Sequence, residues 1–138
     1  MDRGEFLRSL IALLNASPYY RHIGMRVVEC LEGTSRLELQ AKECVQNLYG
    51  TLHGGVLASL VDSACGVALG TLLEEGEFAV TVDLRINYLC AASAGLLLAE
   101  GRVLQRGRNI GVAEADVRAA GGTLIAKGMT THFIQKAS

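Results

Sequence analysis

One long apolar segment constrains this chain more than any other feature of its sequence. Residues 56–73 carry a single charged side chain, that of Asp62, and the segment is longer than a typical β-strand. As a helix it would be roughly 25 to 30 Å long, with apolar residues on most of its surface. The sequence therefore predicts a buried core helix, which ends at Glu74 and Glu75 although acidic residues are unfavourable at a helix C-terminus.

The segments before this helix follow two other patterns. Apolar residues recur at helical spacing over residues 6–14 and stop at Pro18, which predicts a short amphipathic helix. Over residues 25–41, apolar and polar residues alternate loosely around Glu32-Gly33, which predicts a hairpin. The mainly polar residues 42–53 predict a loop that leads into the core helix.

After the core helix, the sequence changes to the two-residue period of β-strands. The clearest strand begins near Val80 and carries Thr81 on its polar face. Turn residues at 91–95, 106–109 and 121–122 divide the rest into three long strands, so the pattern predicts a four-stranded meander. A hairpin, a helix and a meander in this order predict an α+β fold with an antiparallel sheet on one helix.

Length and charge exclude several classes of protein. A chain of 138 residues corresponds to one domain, over residues 1–138, that is large enough to bury a core. The net charge is −1, which gives no electrostatic reason to expect a nucleic acid or a membrane as partner. Residues 1–5 carry both signs of charge and no apolar segment is long enough to cross a bilayer, so we expect a soluble, cytoplasmic protein without a signal peptide.

The cysteines do not form a recognisable framework. They lack Cys-x-x-Cys spacing and have no histidine at ligand spacing, so we expect buried, reduced thiols rather than disulfides or a metal site. The four positions are Cys30, Cys44, Cys65 and Cys90.

The start of the core helix is the first candidate for chemistry. Gly54 and Gly55 lie there, where free backbone N–H groups and the helix dipole favour an anion or a developing oxyanion. A tight turn would explain the same pair structurally. Asp62 is the second candidate, because an unpaired carboxylate is costly in an apolar helix unless it faces water or has a task.

The spacing of these two candidates has a geometric consequence. Asp62 follows Gly55 by seven residues, so both lie on one stripe of the helix but about 10 Å apart along its axis. One aspartate side chain cannot bridge that gap. If both groups act on one carbonyl, the second must come from another copy of the helix across a two-fold axis, which predicts a homodimer.

Other polar residues admit two interpretations each. His53 is a general-base candidate by residue type, or it orders the loop before the helix. Thr81 would by default belong to a solvated sheet face, and Asn47 would be a turn former. His22 and His132 have no such context, and we expect structural or surface roles for them.

Several of these residues together form a recognisable pattern. Asn47 and Gly50, then His53-Gly54-Gly55, then Asp62 and the strand 80–83 make the chain resemble hotdog-fold acyl-CoA thioesterases of the phenylacetate-pathway type. The similarity extends from about residue 18 to residue 134. It implies a long central helix wrapped by a curved antiparallel sheet, dimers joined edge to edge, and often tetramers.

The resemblance also implies a role for each site residue. The Gly55 N–H would bind the thioester carbonyl, and the partner's Asp62 would act as general base or nucleophile. Asn47 would hold the water or the leaving group. Thr81, where the family often has serine, would orient that water, and His53 would support the site. No metal or cofactor is implied.

Coenzyme A carries phosphates, so basic residues should line the mouth of the cleft beside the substrate-binding Gly54. Arg106 and Arg108 are the candidates, although ordinary hairpin charges would explain them equally well. Two alternatives to hydrolysis stay open. One is a hotdog dehydratase or hydratase, which needs an acid and a base; His53 could serve, but no second histidine lies at a matching position. The other is a non-catalytic acyl-CoA binding module, which would be favoured if an inert residue stood in place of Asp62.

Overall fold

The computed structural model describes residues 2–138 of the chain. They form three α-helices and six β-strands, with one 3-10 turn at Glu43–Val45. The helices are α1 (Arg3–Asn15), α2 (Pro18–Ile23) and α3 (Gly54–Gly70). The strands are β1 (Met25–Leu31), β2 (Thr34–Ala41), β3 (Glu77–Tyr88), β4 (Gly95–Arg106), β5 (Ile110–Ala119) and β6 (Leu124–Lys136).

The strands form one antiparallel sheet that packs against α3. Its order is β1-β2-β4-β5-β6-β3, and α3 contacts all six strands. Leu60 and Val61 of α3 are completely buried in the core, as is Leu37 of β2. The predicted hotdog fold, a long helix wrapped by an antiparallel sheet with a short helix at the start of the chain, is confirmed.

The short helices before the sheet follow their sequence signals. The Asp2 side chain caps α1, and the Asn15 side chain at its other end bonds both backbone groups of Val27, which ties α1 to β1. The second helix, α2, was not predicted; it begins at Pro18 and ends at Gly24 with φ of 79°. Within residues 2–138, no helix has both the length and the apolar character needed to span a bilayer.

The core helix ends earlier than predicted. Its last residue is Gly70, and Thr71 caps it while its hydroxyl donates to the Ala68 carbonyl. Glu74 and Glu75 therefore lie beyond the helix, where they no longer oppose its dipole. The Glu74 N–H donates instead to the Glu77 carboxylate at 2.8 Å.

The predicted four-stranded meander is wrong in one respect. Strands β4, β5 and β6 form a meander, but β3 lies at the far edge of the sheet and pairs with β6 rather than with β4. The register of β3 on β6 shifts between Thr81 and Asp83, so Val82 is the extra residue of a β-bulge. Strand alternation alone could not reveal this bulge.

The bulge changes which residues of β3 face the helix. Before it, the odd-numbered Thr81 contacts Asp62 of α3. After it, the even-numbered Ile86 packs on the core and Tyr88 bonds the first residue of α3. Thr81 is exposed, as expected of a solvated face, but the bulge separates it from Asp83, Arg85 and Asn87, with which regular alternation would have placed it on one face.

The cysteine prediction is only partly confirmed. All four thiols are free, as expected, but burial divides them into two pairs. Cys30 and Cys65 are buried, whereas Cys44 and Cys90 are exposed in the loops that flank the start of α3 and the end of β3. Burial raises the pKa of the Cys65 thiol to about 11.

Candidate functional site

Asp62 and Thr81 meet in a cavity between α3 and the edge of the sheet. The Thr81 hydroxyl donates a 2.7 Å hydrogen bond to Asp62 Oδ1. The cavity has a volume of about 280 Å³, and its other walls come from α1, α2 and β6. Asp62 thus faces an open space and has a hydroxyl partner. This agrees with the high cost of burying an unpaired carboxylate in an apolar helix.

His132 completes this group and was missed as a site residue. It is 2% exposed, and it lies opposite Thr81 in the pairing of β6 with β3. Its Nδ1 is 3.4 Å from the Thr81 hydroxyl oxygen, and its Nε2 is 2.8 Å from the Thr130 hydroxyl. Only the register of two strands distant in sequence brings these groups together.

The hydrogen bonds around His132 have a consistent direction. The Thr81 hydroxyl donates its only proton to Asp62, so its oxygen can only accept a hydrogen bond from His132 Nδ1. The other ring nitrogen, His132 Nε2, then accepts a hydrogen bond from the Thr130 hydroxyl. Burial lowers the pKa of His132, and the nearby Asp62 carboxylate opposes this effect. A neutral imidazole protonated on Nδ1 therefore fits the network.

The start of α3 differs from expectation at Gly55. His53 is the N-cap residue, and its Nδ1 accepts the Gly55 N–H at 2.8 Å, so the amide expected to bind a carbonyl is already engaged. Gly54, the first residue of the helix, has an N–H without an acceptor among residues 2–138. Of the two glycine amides at this helix start, that of Gly54 is therefore the free donor.

Tyr88 holds the Gly54 peptide from the end of β3. Its hydroxyl donates to the Gly54 carbonyl at 2.8 Å. A Cβ atom on Gly54 would lie 3.2 Å from this hydroxyl and 3.3 Å from the ring carbon that bears it. Glycine is thus favoured here by close packing against Tyr88.

Asn47 acts in the loop as a turn former. Its side-chain oxygen accepts the N–H groups of Tyr49 and Thr51, and its amide nitrogen donates to the Thr51 hydroxyl at 2.7 Å. It does not line the cavity that contains Asp62. The structure therefore supports the turn interpretation within one chain and does not place Asn47 beside Asp62.

The two arginines have different surroundings. Arg106 pairs with Glu77 and donates to the Gly107 carbonyl, so its guanidinium serves the turn between β4 and β5. Arg108 is exposed, and it lines a surface pocket together with Arg106, Lys136 and the acidic Glu74 and Glu77. Of the two predicted phosphate ligands, only Arg108 is available.

The candidate residues form two separate groups in the single chain. Asp62, Thr81 and His132 form the first, and His53 with Gly54 forms the second. Gly54 precedes Asp62 by eight residues, which is about 12 Å along α3. Within residues 2–138, no three histidine, cysteine or acidic side chains are close enough together to hold a metal ion.

Comparison with known proteins agrees with this architecture. Residues 49–126 match the thioesterase superfamily. The human protein acyl-coenzyme A thioesterase 13 is 34% identical to this chain over 134 residues, which cover 94% of this chain and 95% of the human protein.

Solved structures show the same fold. A thioesterase family protein from Silicibacter pomeroyi superposes with a TM-score of 0.88 at 27% identity, covering 99% of this chain and 100% of that one. A thioesterase from Haemophilus influenzae superposes with a TM-score of 0.87 at 25% identity, covering 94% of this chain and 90% of that one. The chain belongs to the thioesterase superfamily and is a thioester hydrolase with the hotdog fold.

Proposed function

We propose that the protein hydrolyses acyl-CoA thioesters to the free acid and coenzyme A. The observation that carries the proposal is the Asp62 carboxylate, held by the Thr81 hydroxyl at 2.7 Å in an open cavity on an otherwise apolar helix. The human relative, named as an acyl-coenzyme A thioesterase, supports coenzyme A as the carrier of the acyl group.

We infer that the complete site needs two copies of the chain. The free Gly54 N–H and Asp62 are about 12 Å apart along one helix, so one chain cannot bring both to one carbonyl. Two α3 helices packed antiparallel across a two-fold axis would pair the Gly54 of each chain with the partner's carboxylate. Each dimer then has two equivalent sites.

The edge strand β3 supports this arrangement. It pairs with β6 on one side only, so its other edge is open. Its large apolar side chains are well exposed, with Val80 at 43% and Val82 at 60%. A long, apolar, open edge is unusual for a monomer because it invites strand pairing. A second β3 is the occupant that fits, since it would extend the sheet across the dimer.

The proposed mechanism uses the charges that develop during hydrolysis. Water attacks the thioester carbonyl while the Asp62 carboxylate takes a proton from that water. The Thr81 hydroxyl assists by holding the carboxylate in position. The carbonyl oxygen becomes an oxyanion and accepts the Gly54 N–H at the positive end of the partner helix. The carbon–sulfur bond then breaks, and the thiol leaves as a thiolate that takes up a proton, since thiols have a pKa of about 8.5.

Asp62 could instead attack the thioester carbonyl and expel the thiolate, which forms a mixed anhydride that water then hydrolyses by attack on the Asp62 carboxyl carbon. A single turnover in ¹⁸O-labelled water distinguishes the two routes. Label in the Asp62 peptide, read by mass spectrometry, would establish the anhydride route. Label in the released acid alone, with none in the peptide, favours the general-base route.

The remaining roles are proposals of the same kind. His53 positions the helix start by capping Gly55, and Arg108 is the candidate for a coenzyme A phosphate. The phenylacetate-pathway subtype, the tetramer and the cytoplasmic location stay predictions. Phenylacetyl-CoA in a substrate panel tests the subtype, and light scattering after gel filtration tests the assembly.

The direct test is release of free thiol from a panel of short, medium, long and aromatic acyl-CoAs. We expect release for at least one class. If the purified dimer releases thiol from none of them, the proposed function is wrong.

A further inference from the structure

We propose that the groove between α1 and α3 is the acyl-chain site, and that Gly66 and Gly70 set the length of chain it accepts. This inference rests on the proposed function and names its substrate class, a linear acyl chain of medium or greater length. Such a chain would start at Asp62 and run along α3 towards Gly70.

The groove is continuous with the candidate catalytic group. The cavity that contains Asp62 and Thr81 extends along one face of α3 past Gly66 to Gly70. There it meets a second cavity, of about 710 Å³, that shares Leu10, Gly70 and Leu73 with the first. Together they form a path from the carboxylate to the far end of the helix, which is apolar beside Leu10 and Leu73. Beyond Gly70 the path is also lined by charged side chains, those of Asp2, Arg3, Glu74, Glu75 and Glu77.

Helix α1 forms the roof of this path without filling it. Leu10 and Leu14 line the cavity, yet α1 packs mainly on β1 rather than on α3. Asn15 fixes the end of α1 by bonding both backbone groups of Val27 in β1. The space between the two helices therefore follows from where α1 is anchored.

The two glycines leave that space open, and at Gly66 this has a cost in helix stability. Gly66 lies in the interior of α3, where glycine is the least favourable residue after proline, whereas Gly70 is the last residue of the helix. Packing does not require glycine at either position, because a Cβ on Gly66 would lie 3.8 Å from His132 Cε1, and one on Gly70 would lie 3.8 Å from Leu10 Cδ2. Both distances are ordinary van der Waals contacts.

Other glycines of the chain show the contrast. A Cβ on Gly101 would lie 2.3 Å from the Ala64 carbonyl oxygen, and one on Gly128 would lie 2.5 Å from Val61 Cγ1. The fold itself excludes side chains at those positions. At Gly66 and Gly70 the fold admits a side chain, and both glycines line the cavity that contains Asp62, so a side chain added there would occupy part of that cavity.

The spacing of the glycines gives a length scale. Gly66 and Gly70 lie about 6 and 12 Å beyond Asp62 along the helix axis. An extended chain of about 1.5 Å single bonds at tetrahedral angles advances about 1.25 Å per bond, so these positions correspond to about 5 and 10 carbons. Each buried methylene strengthens binding about fourfold.

The test is a chain-length profile of kcat/KM, from butanoyl-CoA to hexadecanoyl-CoA, for two blocking variants. Gly70→Val should lower the ratio of kcat/KM for dodecanoyl-CoA to that for octanoyl-CoA by at least about tenfold. Gly66→Val should lower the ratio for octanoyl-CoA to butanoyl-CoA in the same way. Adding Leu10→Ala to Gly70→Val, which reopens the space, should restore dodecanoyl-CoA hydrolysis.

Two controls separate blocking from damage to the fold. Gly66→Ala should raise the melting temperature by about 3 to 6 °C, because Gly66 lies in the interior of α3, where alanine is favoured over glycine. Gly121→Ala, in an exposed turn with no atoms within 4 Å of its Cβ position, should leave the profile unchanged. A profile that is the same in wild type, Gly66→Val and Gly70→Val would overturn the acyl-chain site.

Binding of free dodecanoate, measured by calorimetry, tests the groove without catalysis. Weaker binding to Gly70→Val than to wild type supports the site, even if no acyl-CoA is hydrolysed and the proposed function fails. Hydrolysis with no dependence on chain length, together with no dodecanoate binding, overturns the groove and leaves the proposed function standing.

Discussion

The Thr81 hydroxyl donates to the Asp62 carboxylate because the bulge at Val82 turns Thr81 towards α3. This bond orients the carboxylate in the cavity, and hydrogen bonds to charged groups contribute about 1.5 to 3 kcal/mol. We expect Thr81→Val to lower kcat roughly 10- to 100-fold and Thr81→Ser to retain most of it, in steady-state thiol-release assays. Equal activity of the valine and serine variants would contradict a role for the hydroxyl.

Asp62→Asn tests the carboxylate itself. The amide keeps the shape and can still accept from Thr81, but it cannot take a proton from water. We expect kcat to fall by about 10² to 10⁴-fold, the usual contribution of a general base. Gel filtration and binding of an acyl-CoA should match wild type, and wild-type turnover in this variant would exclude the assignment.

The Gly54 N–H can be removed with a matched control. Gly54 is the first helical residue, where proline is well tolerated, and His53 has φ of −63° and ψ of 137°, which suit a residue before proline. Gly54→Pro and Gly54→Ala both place a Cβ against Tyr88, but only proline removes the N–H. We expect kcat about 10² to 10³-fold lower for proline than for alanine. Equal rates would remove Gly54 from the mechanism.

Mixed dimers test whether the site is shared between chains. Combining inactive Asp62→Asn and Gly54→Pro chains gives heterodimers with one intact carboxylate and one intact amide in the same site. Random equimolar mixing should therefore restore about a quarter of wild-type activity, since half of the dimers carry one of two sites. Heterodimer formation is verified by native mass spectrometry, and its presence without recovered turnover would argue for a site within one chain.

His132 predicts a dependence of stability on pH. Burial holds its pKa below the ordinary value, so below pH 6.5 the unfolded chain binds a proton that the folded chain does not. The free energy of unfolding should fall as pH decreases from about 6.5, by up to about 1.4 kcal/mol per pH unit until the folded pKa is reached. Urea unfolding at pH 7.5 and 5.5 measures this loss.

Two variants test that pH dependence. His132→Gln should show a smaller loss of stability between the two pH values, because the titrating group is gone. The exposed His22 offers the control, since His22→Gln should keep the wild-type loss. A loss in His132→Gln as large as in wild type would assign the effect to other groups.

Much of the fold follows from patterns local in sequence. The apolar segment with one aspartate predicts α3, and the two-residue period predicts the strands. The position of β3 does not follow, because its pairing with β6 rather than β4 depends on contacts between residues more than 40 positions apart, such as Thr81 and His132. The bulge at Val82 exchanges the two faces of β3. It also depends on the pairing of β3 with β6, so the sequence of β3 alone does not predict it.

The candidate site divides along the same line. Asp62 and the glycines at the start of α3 are visible in the sequence because charge and backbone freedom are unusual in an apolar helix. His132 is not, since alternation places it among ordinary β6 residues and only the sheet register brings it to Thr81. Whether the Gly55 N–H is free also depends on the orientation of the His53 side chain, which the sequence motif does not specify.

Tyr88 connects the two surfaces on which the proposed enzyme depends. It ends β3, whose free edge we propose as the dimer contact, and its hydroxyl donates to the carbonyl of Gly54, the residue whose own N–H we propose as the oxyanion donor. A shift of that strand during assembly would therefore be transmitted to the oxyanion donor through one phenol. In the proposed dimer, subunit association and activation of the carbonyl would therefore be mechanically coupled, and an isolated protomer would lack more than its neighbour's carboxylate.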